Sequence, residues 1–207
     1  DIPESEQGDV ETIEKFLSLN KEKPIVVVQG LGFVGSVMSL VCANAINTNY
    51  SVIGIDLPTK ESFWKVGSTR DGILPLSSTD PKVSEFFENA MNQGNLLASF
   101  DPFVYTFADV VIVDVNLDVS KNSGEDGELI NFEVDLRAFE KAIQTIADYC
   151  KPEVLVIVET TVPPGTCENV ILPILRKGFA RRGVAQDAFK LGHSYERVMP
   201  GPNYIDS

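Results

Sequence analysis

An unbroken apolar run, Ile25 to Val28, leads into Gly30, Gly32 and Gly35, which stand at the spacing G-x-G-x-x-G. No other feature constrains the chain as much, because a buried strand ending in such a turn leads into a helix that packs back on it. Each glycine answers a different steric demand. Gly30 permits the tight strand-to-helix turn, Gly32 removes a Cβ where a pyrophosphate must approach the backbone, and Gly35 lets the helix lie close to the strand. The N–H groups of the first helical residues, Phe33 and Val34 among them, then bind an anion without a Lys or Arg nearby. A second apolar strand, Val52 to Ile55, ends at Asp56, 21 residues beyond Gly35. A carboxylate there accepts both ribose hydroxyls of an adenosine and repels a 2′-phosphate, which selects NAD over NADP as cofactor.

Beyond this unit, strand-like and helix-like segments alternate, the pattern of an α/β fold with a doubly wound, mostly parallel sheet of the Rossmann type. Asp80 and Pro81 form an N-cap and first-turn pair opening a helix to about Gln93, with Gly94 as its stop. Val110 to Val113 and Val154 to Val158 read as strands, Phe132 to Cys150 as a long helix, Cys167 to Arg181 as the last helix and Phe189 to His193 as a final strand. The polar segment Asp118 to Glu128 reads as the most mobile loop. Asp118, Ser120 and Asn122 begin a calcium-loop register there, but Ser123 and Leu129 occupy the positions that need Gly and Glu, so no metal is expected.

With 207 residues and 43% apolar content, the chain can bury the core of one large domain. The expected organisation is an NAD-binding domain over residues 23–207 after an acidic extension over 1–22, in which Val10 to Leu19 has the pattern of an amphipathic helix. No apolar run approaches the ~18 residues of a membrane span, and the first residues are acidic, so neither a span nor a signal peptide is expected. A formal charge of −13 argues against nucleic acid or an anionic membrane as partner. Cys42, Cys150 and Cys167 lack C-x-x-C spacing, which suits reduced thiols in a cytoplasmic protein better than a disulfide framework or zinc site.

Two further segments follow strands at what becomes the carboxyl edge of the sheet, where ligands of such folds bind. They are Glu159-Thr160-Thr161-Val162-Pro163-Pro164-Gly165-Thr166 and His193-Ser194-Tyr195-Glu196-Arg197-Val198-Met199-Pro200-Gly201. With Gly-Leu-Gly-Phe-Val-Gly at 30–35, these segments resemble the nucleotide-sugar dehydrogenases, the UDP-glucose, UDP-N-acetylmannosamine and GDP-mannose dehydrogenases. The resemblance runs from about Pro24 to the C-terminus, and the last segment is closer to the branch acting on N-acetylated UDP-sugars.

The resemblance implies an enzyme that oxidises the C6 alcohol of a UDP-sugar to a uronic acid in two NAD-dependent steps, through a cysteine-bound intermediate, in polysaccharide biosynthesis. Matching positions give Gly30, Gly32, Phe33, Val34, Gly35 and Asp56 to the cofactor, with Ser99 and Asn116 near it. Thr161 lies by the nicotinamide and has a catalytic part, and Glu196 stands at the catalytic centre. The partner implied is a small nucleotide sugar. Family members run to roughly twice this length, and their nucleophilic Cys and most of the sugar site lie in a second half that these residues do not contain. The expectation is therefore an inactive N-terminal domain, monomeric alone, from a homodimeric enzyme. None of the three cysteines matches the nucleophile, although a helix N-terminus at Cys167 could lower its thiol pKa. Val113-Asp114-Val115-Asn116 departs from the family's Val-Pro-Thr-Pro, Tyr195 stands for the Pro before Glu196, and Pro200 for a second Glu of the UDP-glucose branch. Without the resemblance, a hydroxyacid-type NAD dehydrogenase and a non-catalytic nucleotide-sensing module stay open, since fold alone does not choose among them.

Overall fold

The structure, a computed structural model, describes residues 8–124 and 126–207. In chain order its elements are α1 (Val10–Leu19), β1 (Ile25–Gln29), α2 (Phe33–Ala43), β2 (Ser51–Ile55), α3 (Phe63–Arg70), α4 (Pro81–Gln93), β3 (Leu96–Ser99), β4 (Val110–Val113), β5 (Asp118–Ser123), β6 (Leu129–Asp135), α5 (Arg137–Tyr149), β7 (Val154–Val158), α6 (Leu172–Arg181) and β8 (Phe189–His193). Short helical turns at Pro102–Thr106 and Cys167–Ile171 complete the set.

Six strands form one parallel sheet in the order β3-β2-β1-β4-β7-β8. The chain leaves β1 for β2 on one side and returns to β4 on the other, so the strand order reverses between β1 and β4. In such sheets ligands bind outside the carboxyl ends of the strands at this reversal.

Strand alternation divides the core between two layers. Val27, Val111, Val113, Val156 and Val158 face α1, α5 and α6, meeting Ile13, Phe16, Phe139, Ile143, Ile146, Leu175 and Phe179. Val26, Val28, Val52 and Ile112 face α2 and α4, meeting Val37, Leu40, Val83, Phe87 and Ala90. Each such side chain contributes about 1.5–3 kcal/mol when fully buried, which holds helices on both faces of the sheet.

Asp80 caps α4 with Oδ1, which accepts the Lys82 N–H at 2.9 Å, and Gly94 ends the helix with φ 63°. Both ends of the described residues pack on the domain. Ile13 and Phe16 of α1 are buried in the first core layer, and the Asp9 carboxylate pairs with Arg70. Residues 1–7 of the acidic extension lie outside the described residues. At the other end, the Tyr204 hydroxyl donates to Phe33 O at 2.6 Å, and the Ile205 N–H donates to Asp80 Oδ2 at 2.9 Å.

Two expectations need correction. Asp118 to Glu128 is not a plain loop, because β5 pairs antiparallel with β6 and the Gly124 N–H donates to Glu128 O at 2.8 Å to close the turn. The helix expected from Phe132 begins instead at Arg137 and ends at Tyr149. Phe132 pairs with Lys121 of β5 instead, so cross-strand pairing takes it out of the helical spacing that links it to Leu136 and Phe139.

Candidate functional site

The turn from β1 into α2 is built as tightly as its glycines imply. Gly30 has φ 97°, and a Cβ on it would come within 2.4 Å of Asp114 O. A Cβ on Gly35 would come within 1.9 Å of Gly30 O, so neither position admits a larger residue without moving backbone. Gly32 is different. A Cβ there would meet nothing within 4 Å, because Gly32 borders open space at the start of α2. The Ser36 N–H donates to Gly32 O at 3.1 Å to begin the helix, and no side chain caps that end. Its first N–H groups and positive dipole end thus face outward, as a phosphate requires.

Asp56 follows β2, anchored by its N–H to Ser99 O at 3.2 Å. Its Oδ2 accepts from Lys65 Nζ at 2.8 Å and from the Leu31 N–H at 3.2 Å, and its Oδ1 from the Leu57 N–H at 2.8 Å. The carboxylate thus stands beside the glycine turn, held in place by Lys65 of α3. Ser99 ends β3, fully buried, and gives its hydroxyl to Asp9 Oδ2 at 2.6 Å.

A cavity of about 400 Å³ opens over the ends of β4 and β7. Gly32, Phe33 and Val34 line it from α2, Asp114 to Leu117 from the segment after β4, Thr160 and Thr161 from the segment after β7, and Glu196 from the C-terminal stretch. This volume falls in the range of small-molecule sites. The site residues expected from sequence are brought together in part. Gly32, Phe33, Val34, Asn116, Thr161 and Glu196 share the cavity, whereas Gly30, Gly35, Asp56 and Ser99 are not part of its lining. Gly30 and Gly35 support it from beneath, and Asp56 lies on the β2 side.

Thr160 is buried and ties the two segments, its hydroxyl near Val113 O at 3.1 Å and Val115 O at 2.9 Å. That leaves exposed Thr161 facing the cavity. Glu196 is fixed by its N–H to Glu159 O at 3.2 Å, and its Oε2 accepts the Val198 N–H at 2.7 Å.

Asp114 and Glu159 escaped the sequence reading as acids in their own right. Burial, with the charges of Glu159 and Glu196 adding, pushes the Asp114 carboxyl up to about 8, and burial raises Glu159 as well. The signal lay in the sequence, since each is the first residue after its strand, but it becomes legible only once β4 and β7 are known to be neighbours.

The cysteines take no part in the cavity. Burial pushes the thiols of Cys42 and Cys150 up to about 12 and raises that of Cys167, so none is held as a reactive thiolate. His193 is exposed at the end of β8.

Residues 24–207 match the UDP-glucose/GDP-mannose dehydrogenase family, NAD binding domain. The chain belongs to this family. It is 29% identical over 176 residues to the UDP-N-acetyl-D-mannosamine dehydrogenase of Pyrococcus horikoshii, covering 85% of this chain and 37% of that protein. Protein CapL of Staphylococcus aureus is 26% identical over 176 residues, with 85% and 35% covered. The NDP-N-acetyl-D-galactosaminuronic acid dehydrogenase of Methanosarcina mazei Go1 superposes with a TM-score of 0.74 at 26% identity, over 94% of this chain and 38% of that one. The chain therefore spans little more than a third of the length of these relatives. As the NAD-binding domain of a UDP-glucose/GDP-mannose dehydrogenase family member, it has the parts the cofactor needs. The open space at Gly32, the uncapped helix end and the Asp56 carboxylate suit the pyrophosphate and the adenosine ribose.

Proposed function

We propose that this chain is the cofactor half of an NAD-dependent dehydrogenase that oxidises the C6 alcohol of a UDP-sugar to the acid, with an N-acetylated hexosamine as the sugar. The observation carrying the reading is one cavity in which the start of α2, Thr161 and Glu196 converge. NAD, when bound, supplies the hydride acceptor. Gly32, Phe33 and Val34 hold its pyrophosphate through backbone N–H groups, and Asp56 accepts the adenosine ribose hydroxyls. That places the cofactor's other half over β4 and β7. Thr161 offers a hydroxyl there, and Glu196 holds a carboxylate whose position is fixed by Glu159 O and the Val198 N–H. Glu196 orients and deprotonates the water that releases the acid, a role suited to a half-buried carboxylate at the cavity rim.

The sugar and its nucleotide bind against these residues together with the remainder of the enzyme, which works as a homodimer in the cytoplasm and supplies uronic acids for polysaccharide synthesis. The test uses the whole gene product with UDP-N-acetylmannosamine, UDP-N-acetylgalactosamine and UDP-glucose. The reading expects two NADH per sugar with an N-acetylated substrate, and a loss of turnover of about 100-fold or more in Glu196→Gln. Unchanged turnover in that variant contradicts the role of Glu196. Absence of NADH formation with every nucleotide sugar contradicts the reading as a whole.

A further inference from the structure

Val113 and Val158 form the last paired rung of β4 and β7, and Asp114 and Glu159 are the first residues after them. Ile112 packs on the α2 side and Val113 and Val158 on the other, so alternation turns both acids toward α2. Like charges side by side on one face of a sheet repel. Asp114 Oδ1 and Oδ2 and Glu159 Oε2 are buried, and no donor among the described residues reaches them. A proton shared between the two carboxyls would supply the missing donor, and a side-chain hydrogen bond between them is part of what sets both titrations.

The charges acting on Asp114 are themselves acidic. Glu196 adds a third carboxylate from the C-terminal stretch, and Cys42 of α2 carries a thiol kept neutral by burial. No Lys or Arg lines the cavity among the described residues. Burial and the neighbouring carboxylate thus make the pair keep a proton to higher pH than ordinary carboxyls do, and its negative charge grows as that proton is lost.

The site reading above orients the dinucleotide across this pair. Asp56 marks the adenosine side at β2 and Gly32 the pyrophosphate at β1, while β4 and β7 lie on the opposite side of β1. The nicotinamide half belongs there. Oxidised and reduced cofactor share the same phosphates and differ by one positive charge on the ring, so the comparison of the two isolates that charge.

We propose that Asp114 and Glu159 are specificity-determining residues for the redox state of the dinucleotide: the pair favours NAD⁺ over NADH, and does so more strongly once its shared proton is lost. The inference rests on the site reading above. It makes alkaline conditions retain the oxidised cofactor and expel the reduced product.

The test measures Kd for NAD⁺ by calorimetry and for NADH by fluorescence on the 207-residue chain between about pH 6 and 9. The ratio Kd(NADH)/Kd(NAD⁺) is expected to rise by about tenfold across that range. In Asp114→Asn the ratio stays flat, because an amide does not ionise. Glu159→Gln gives a second reading if the first variant folds poorly. A flat ratio in the unmodified chain, or the same rise in both variants, overturns the inference and leaves the cofactor site standing. If neither nucleotide binds at any pH, the site reading falls and this inference with it.

Discussion

The Cα of Gly30 lies so close to the carbonyl oxygen of Asp114 that a Cβ at residue 30 would approach it to 2.4 Å. The strand-to-helix turn and the segment after β4 are thus locked backbone to backbone, and the floor of the cavity depends on that contact. Gly30→Ala imposes both this clash and a φ of 97° on a residue with a side chain. The expected cost is about 3 kcal/mol or more. Urea unfolding measures it, and a midpoint equal to that of the unmodified chain contradicts the packing.

The N-terminal helix is a structural part of the domain. Ile13 is fully buried in the core layer that also holds Phe139 and Val156. Ile13→Ala is expected to lower stability by about 2–4 kcal/mol, with an unchanged denaturant slope. A loss below about 0.5 kcal/mol would show that α1 rests on the surface without contributing to the core.

Stability should fall as pH rises, because of Asp114. Its carboxyl ordinarily titrates at 3.8 and is held up to about 8 in the folded chain. Below the lower value both states carry the proton, so the contribution is full. Between the two values the unfolded chain releases the proton while the folded chain keeps it, which favours unfolding progressively until the folded group also ionises. Asp114→Asn is therefore expected to flatten the decline in melting temperature between about pH 4 and 8 and to raise it at the alkaline end. Parallel profiles for the two proteins contradict this.

Asp56, as the proposed acceptor of the ribose hydroxyls, is expected to set cofactor choice. Asp56→Ala removes the ribose acceptor and frees Lys65, which its Oδ2 holds at 2.8 Å. NAD⁺ affinity is expected to fall roughly tenfold while NADP⁺ gains relative to it, since the repulsion of a 2′-phosphate is gone and a cation replaces it. Titration with both nucleotides checks this, and an unchanged ratio of the two affinities argues against the assignment.

Much of this architecture is legible from local pattern. The G-x-G-x-x-G turn, the Asp80-Pro81 helix start with Gly94 as its stop, and the apolar strands Val110–Val113 and Val154–Val158 each carry their signal within a few residues. The hairpin of β5 and β6 does not. Its strands carry Lys121, Asn122 and Glu133 and expose Val119, Ile130 and Phe132, so no buried face distinguishes them from a solvated loop. Phe132 also falls at helical spacing from residues that do enter α5. The site divides in the same way. Gly32 and Asp56 announce themselves by spacing, whereas the encounter of Asp114 with Glu159 depends on the register of β4 with β7, and the burial of Ser99 against Asp9 depends on where α1 packs.

Gly32 gives the most direct test. A Cβ there meets nothing within 4 Å, and its φ of −74° with ψ of −166° is open to alanine, so the substitution leaves the fold intact and fills only the space proposed for the pyrophosphate. Calorimetric titration of NAD⁺ into the unmodified chain and into Gly32→Ala, with melting temperatures measured beside it, separates binding from folding. Equal melting temperatures with NAD⁺ affinity lowered by about tenfold or more are the predicted result. Equal affinities in the two proteins would contradict the placement of the cofactor on the β1–α2 turn.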